Sequence, residues 1–235
     1  MRVAVVTVGD ELLAGETVNT NAAWLGEQLT ARGARVERVV TVPDRVEDIA
    51  DVVREYHDRY DAVVVTGGLG PTHDDLTMEA VASAFDRDLE RDESALDWLE
   101  ANGGYVREDL TAGTADLPAG ARVLHNEEGV APGCVVESVY VLPGVPAEMK
   151  AMFEGIREEF TGTRRHVATV AVDEPESALL DRFEELRERF GVTVGSYPGE
   201  FVRVKLRGED ATAVEAAAAW LRERSTLVDS GAVTE

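Results

Sequence analysis

Three short valine-rich runs constrain the fold of this chain more than any other feature. Residues 2–8 (RVAVVTV), 36–42 (VERVVTV) and 61–66 (DAVVVT) are short and β-branched, and read as buried strands. Helical patterns separate them. Residues 20–32 place Ala22, Trp24, Leu25 and Leu29 at the apolar positions and stop at Gly33, while residues 44–60 carry Ile49, Val52, Val53 and Tyr56 at helical spacing. A further acidic helix is expected over residues 75–85. Strands that alternate with helices make a mostly parallel sheet covered on both faces, a three-layer α/β/α architecture. Ligands of such sheets bind beyond the carboxyl ends of the strands. Here those ends are the loops at residues 9–15 and 67–75.

Beyond them the pattern is mixed. Residues 93–102 read as a helix broken by Gly103 and Gly104, and strands are expected at 122–124, 133–137 and 139–142. The turn Pro143-Gly144-Val145-Pro146 then leads into a helix over 147–160. The remainder reads β-α-β-β-α: a strand at 166–172, a helix at 175–190, strands at 192–196 and 201–207, and a helix at 210–224. The expected division is an α/β domain at 1–163, a small α+β module at 164–228 and a frayed tail at 229–235.

Charge narrows the function. Among 235 residues, 23 Lys+Arg face 46 Asp+Glu, a net charge of −23. Such a surface repels polyanions, so no nucleic-acid partner is expected. Lys150 and Lys205 are the only lysines, and the acids are spread along the whole chain. That balance suits a salt-rich cytoplasm, where ions screen self-repulsion; the plainer reading is an ordinary acidic protein. The single cysteine, Cys134, excludes a disulfide framework and fits a reducing compartment. No apolar run approaches the roughly 20 residues of a membrane span. Asp10 and Glu11 arrive too early for a signal peptide.

The stretch Thr66-Gly67-Gly68-Leu69-Gly70-Pro71-Thr72-His73-Asp74-Asp75 is the most informative. Glycines after a strand let the backbone approach a ligand with its N–H groups turned inward, and the helix that follows favours an anion. The spacing matches neither a dinucleotide fingerprint nor a P-loop. Asp74 and Asp75 would repel a bare phosphate, a conflict that a divalent cation such as Mg²⁺ resolves through hard oxygen ligands. The alternative is structural: Asp75 caps the helix, and the glycines only make a turn. In the first loop Gly9 precedes Asp10 and Glu11, two more carboxylates at the same edge, with Asn19 and Asn21 beyond them; the alternative there is local capping. In the third, Pro143 and Pro146 flank Gly144 and stiffen the turn, and Glu148 falls in the first helical turn, where it also suits the helix dipole.

Four motifs in order, GDELLAG with NTNAAWL, TGGLGPTHDD, LHNEEGVAPG and LPGVPAEM, closely resemble the MoaB/Mog-type molybdopterin-binding domain, in the version at the N-terminus of CinA (competence/damage-inducible) proteins. The resemblance covers about residues 1–160. It implies a homo-oligomer, dimer or trimer. It also implies a pocket over Asp10, Gly67, Gly68, Gly70, Asp74 and Asp75 for a phosphate-bearing pterin or nucleotide. Mog proteins adenylylate molybdopterin, and some CinA-type domains hydrolyse ADP-ribose with a divalent metal. Three readings follow: metal-dependent hydrolysis of an ADP-ribose-like nucleotide, with Asp74 and Asp75 holding the metal and Asp10 or Glu11 orienting water; adenylyl transfer to molybdopterin; or ligand binding without turnover. Residues 164–228 resemble the small KH-like module of CinA proteins but lack a GXXG loop. No stretch resembles the CinA amidase domain, so that activity is not expected. One departure stands out. Where relatives carry basic or amide residues before the LP segment, this chain has Thr111-Ala112-Gly113-Thr114-Ala115-Asp116.

Overall fold

In the computed structural model, which describes residues 1–103, 105–106, 110, 113–163 and 165–228, the chain forms two compact units, Met1–Gly162 and Thr163–Glu235. The first contains strands β1 (Arg2–Val8), β2 (Arg35–Val42), β3 (Ala62–Thr66), β4 (Leu89–Arg91), β5 (Asp116–Pro118), β6 (Arg122–Leu124), β7 (Gly133–Val136) and β8 (Val139–Leu142). Its helices are α1 (Asp10–Leu13), α2 (Thr20–Ala31), α3 (Val46–Arg59), α4 (Thr77–Ala84), α5 (Glu93–Trp98) and α6 (Pro146–Ile156). The main sheet has the order β2-β1-β3-β8-β7-β6. The first four of these strands run parallel; β7 alone is reversed, pairing antiparallel with both β8 and β6.

Alternation along each strand builds three layers. Val3 and Val5 of β1, with Val64 and Leu142, pack under Leu25 and Leu29 of α2 and Met149 and Phe153 of α6. Val6 and Val8, with Val63, Val65 and Val141, face Ile49 and Val53 of α3 and Ala80 and Val81 of α4. Both faces are covered, which is why the strands read as continuous apolar runs rather than alternating ones. Each fully buried valine contributes roughly 1.5–3 kcal/mol. Cys134 lies within β7, where burial pushes its thiol up to about 12 and leaves it unreactive.

The structure departs from the sequence reading at several ends. Helix α4 begins at Thr77 rather than residue 75, because Asp75 is committed to a turn with Thr72. The helix expected over 93–102 ends at Trp98 and continues as a π-helical turn, Leu99–Gly103. The β4–β5 pair has no counterpart in the sequence reading, since three-residue strands are too short to show a periodicity. Thr111 and Ala112, and the tail 229–235, lie outside the described residues.

The second unit has the expected β-α-β-β-α order: β9 (His166–Val172), α7 (Leu180–Phe190), β10 (Thr193–Tyr197), β11 (Val202–Gly208) and α8 (Ala211–Glu223). Its antiparallel sheet has the order β10-β11-β9. Val170, Val172, Val204 and Leu206 point to one face, under Phe183 and Leu186 of α7 and Ala217 and Leu221 of α8. Asp210 caps α8 by accepting from the Thr212 N–H at 2.8 Å. Among the described residues, no helix is long and apolar enough to cross a membrane.

Candidate functional site

Because β2, β1, β3 and β8 are parallel, the loops after all four emerge at one edge. From β1 the chain winds outward through α2 to β2, then crosses the opposite face through α3 to β3. The winding reverses between β1 and β3, and a crevice opens there, as expected at a topological switch point. A pocket of about 100 Å³ fills it, lined by Thr7, Asn19, Asn21, Thr66, Gly67 and Gly144.

Backbone geometry shapes the glycine loop. Gly67 (φ 109°) and Gly68 (φ 66°) occupy conformations that disfavour other residues. A Cβ on Gly67 would strike the Val8 carbonyl oxygen, and one on Gly68 would strike the Thr77 hydroxyl. Gly144 packs so closely that its Cβ would lie 3.2 Å from the Gly67 Cα. Side chains lock the loops together. Thr66 Oγ1 donates to the Pro143 carbonyl at 2.6 Å, Thr77 Oγ1 to the Gly67 carbonyl at 2.8 Å, and Asn21 Nδ2 to the Gly144 carbonyl at 2.7 Å. Asn19 caps α2 by accepting from the Ala22 N–H at 3.0 Å and donates to Thr7 Oγ1 at 2.8 Å. Asn19 thus caps α2, as the capping alternative has it, and Thr66 braces the glycine loop against Pro143. With its amide fixed by Gly144, Asn21 leaves Oδ1 buried and without a partner among the described residues. A ligand N–H or O–H would satisfy that acceptor.

Carboxylates gather beside this crevice. Asp10 and Glu11 lie in the short α1, and the Glu11 carboxylate folds back over Gly9. The Asp10 N–H donates to Asp44 Oδ2 at 2.7 Å. Burial, followed by the charges of Asp10, Glu11 and Asp74, raises the Asp44 carboxyl above its ordinary value despite that bond. Asp74 is exposed, with His73 Nδ1 3.3 Å away. Side-chain hydrogen bonding within this turn foremost, then a backbone hydrogen bond, hold Asp74 below the usual carboxylate range. Asp75 does not cap α4: its Oδ2 accepts from the Thr72 N–H at 2.9 Å and the Thr72 hydroxyl at 2.5 Å, and it packs against Gly70. Among the described residues, no group of three His, Cys, Asp or Glu gathers closely enough to hold a metal ion by itself.

Further along the loop, Leu69, Gly70, Pro71 and Thr72 border a cavity of about 440 Å³ that Met78, Leu117 and Val130 also line. Glu148 and Pro143 border an adjoining space with Gly70 and Pro71. Glu148 Oε2 accepts from Nδ2 of the buried Asn126 at 2.7 Å.

The sequence reading missed Asp44 and Asn126. Asp44 carried a usable signal, since it follows a valine-rich strand just as Asp10 does. Asn126 sat inside a recognised motif, LHNEEG, but its burial and its bond to Glu148 depend on long-range packing.

Residues 4–161 match the family described as "Probable molybdopterin binding domain", and residues 164–229 match "FAD synthase, middle domain". A protein of Archaeoglobus fulgidus is 39% identical over 219 residues, covering 92% of this chain and 95% of that one. A CinA-like protein of Citrifermentans bemidjiense is 47% identical over 170 residues, 69% of this chain and 41% of that one. The crystal structure of the protein CinA from Thermoplasma acidophilum, described as of unknown function, superposes with a TM-score of 0.63 at 40% identity, covering 68% of this chain and 97% of that one. By sequence, fold and motif order alike, the chain belongs to the MoaB/Mog-type molybdopterin-binding-domain family, in its CinA-like form.

Proposed function

We propose that the first unit binds a phosphate-bearing pterin or nucleotide at the carboxyl edge of its sheet and hydrolyses an ADP-ribose-like nucleotide diphosphate with a divalent cation. One juxtaposition carries this reading: a glycine loop open to an anion lies beside a group of carboxylates in which Asp44 feels the charges of Asp10, Glu11 and Asp74. The N-termini of α2, α4 and α6 meet the same edge and favour negative charge. Carboxylates and phosphate at one edge are compatible when a cation stands between them. Mg²⁺ is usually held by one or two carboxylates plus substrate phosphates, a mode that needs no cage of three protein groups. The donor set here, exposed carboxylate oxygens on Asp74 and Asp10, fits that mode.

The Gly67 N–H is engaged with the Leu142 carbonyl at 3.2 Å, so Gly68, Leu69 and Gly70 supply the loop's donors for phosphate oxygens. Asn21 Oδ1 accepts from the ligand's hydroxyl or ring N–H. Asp74, kept ionised, and Asp10 would hold the cation, with Asp75 and Thr72 fixing the turn that presents Asp74. Glu11 would orient the attacking water. When bound, the cation supplies charge stabilisation on the phosphates and lowers the pKa of water.

An ADP-ribose hydrolysis assay with and without Mg²⁺, in molar KCl, tests the proposal. Asp74→Ala should lower kcat at least a hundredfold, and an Asp74→Ala protein as fast as the parent removes Asp74 from the mechanism. Binding without turnover is the second reading, favoured because Asp75 is already engaged with Thr72. Calorimetry with molybdopterin, AMP and ADP-ribose separates the two. Pyrophosphate release from ATP and molybdopterin would instead mark adenylyl transfer.

A further inference from the structure

Among the described residues of the second unit, both helices pack on one face of its sheet, and the central strand β11 lines the other face with Arg203, Lys205 and Arg207. Their neighbours Val204 and Leu206 point the other way, into the core. Across the strands, the three cations oppose Ala171, Thr169 and Val167 on β9 and Tyr197, Gly195 and Thr193 on β10. None of these six is acidic. The nearest acids in sequence, Glu200 and Glu209, lie outside the strand at either end. Arg203, Lys205 and Arg207 form no ion pair within 4.0 Å among the described residues, whereas many of the other arginines do. In a chain with twice as many acids as bases, three unpaired cations in one row stand apart.

Tyr197 organises them. Gly195 has no side chain, and the ring folds over it: a Cβ there would lie 3.2 Å from the ring. Tyr197 remains 41% exposed. Lys205 Nζ lies 5.4 Å from the ring centroid, and Arg207 Nη2 approaches the phenol oxygen at 3.5 Å. Two cations therefore converge on one exposed aromatic ring with no carboxylate between them, a repulsion that a bound anion would relieve.

We propose that this face is a nucleoside-phosphate site, with the base stacked on Tyr197 and the phosphates held by Lys205 and Arg207, flanked by Arg203. An aromatic platform beside cations accepts any base, because every base has a π-face. A single ring with three cations matches one nucleotide. A long nucleic acid would need a row of platforms and would meet the repulsion of the whole acidic molecule. The site belongs to the second unit's own residues, and the proposal does not depend on the activity proposed for the first.

The test is calorimetric titration of the full chain with ADP in EDTA at moderate salt. Tyr197→Leu should weaken one ADP-binding event about tenfold, the scale of one lost stacking contact. Tyr197→Phe should retain it, and the triple change Arg203→Gln, Lys205→Gln, Arg207→Gln should abolish it. Ribose 5-phosphate should bind weakly and ignore Tyr197→Leu. Hydrolysis of ADP-ribose by the Tyr197→Leu protein should equal the parent's, which keeps this test distinct from that of the crevice. Equal ADP affinity in parent and Tyr197→Leu overturns the proposal, as does a Phe variant that loses as much as Leu. A single-stranded oligothymidylate binding this face a hundredfold more tightly than ADP would make it a nucleic-acid surface. A triple variant that changes only the sedimentation of the protein would make it a contact between copies.

Discussion

The backbone N–H of Asp10 donates to the carboxylate of Asp44 at 2.7 Å, joining the loop after β1 to the loop after β2 across 34 residues of sequence. The bond favours ionised Asp44, yet burial and the charges of Asp10, Glu11 and Asp74 outweigh it and raise the carboxyl above 3.8. The folded protein therefore holds this proton more tightly than the unfolded chain does. Its contribution to stability is full below pH 3.8 and is lost as pH rises through the raised folded value. Asp44→Asn keeps an acceptor for Asp10 without the charge. Melting curves of both proteins from acid to neutral pH should converge in acid and diverge above it, with the variant more stable at pH 7 by less than about 1 kcal/mol, since water screens this partly open group. Parallel curves would rule this out.

Gly67→Ala and Gly26→Ala should have opposite effects. The first forces a side chain into a φ of 109° and against the Val8 carbonyl. It should cost about 2 kcal/mol or more and eliminate ligand binding. At Gly26, inside α2, a Cβ meets nothing within 4 Å, so alanine should stabilise by about 0.5–1 kcal/mol. Urea denaturation of both variants distinguishes a conformational requirement from a general sensitivity to substitution.

Asn126 is 2% exposed and bridges Glu148 Oε2 at 2.7 Å and the Ala131 carbonyl at 3.0 Å. Asn126→Ala leaves both acceptors short of a donor and should cost about 1–3 kcal/mol. Asn126→Asp sets two carboxylates against each other. It should be the less stable variant at neutral pH and should recover part of the loss in mild acid, as thermal melts at pH 7 and pH 5 will show.

With a net charge of −23, the melting temperature should rise steeply from dilute buffer to molar KCl. The Debye length falls to about 3 Å at 1 M, which removes most repulsion between separated surface carboxylates. Chloride is the proper series, because sulfate also stabilises through exclusion from the surface. A melting temperature flat between about 0.1 M and 2 M KCl would contradict the screening argument.

The layers were legible because valine runs and helical spacing report burial directly: Val3 to Val8 read as β1, and Ile49 with Val53 read as the buried face of α3. The loops were legible only in part. The positive φ angles at Gly67 and Gly68 agree with glycines placed after a strand. The partners of Asp75, Asn21 and Asn126 were not legible, because each bond depends on where another segment arrives. Asp75 could have capped a helix by its sequence alone, and its closure of a turn onto Thr72 is a local choice that spacing does not decide. The β4–β5 pair and the π turn at Leu99–Gly103 lack a period of their own.

The pairing of β3 with β8 joins Val63 to Val139, and Asn21 reaches Gly144 across 123 residues. That register imposes an order in time. During synthesis β1, β2 and β3 can associate early, but the crevice has no far wall until residue 144 has left the ribosome. Until then Val63, Val64 and Val65 form an open sheet edge, and the glycine loop has nothing to close against. Any nascent chain that stalls between residues 66 and 140 carries a sticky, unfinished sheet, so the stretch of translation after β3 is where this protein is most exposed to misassociation.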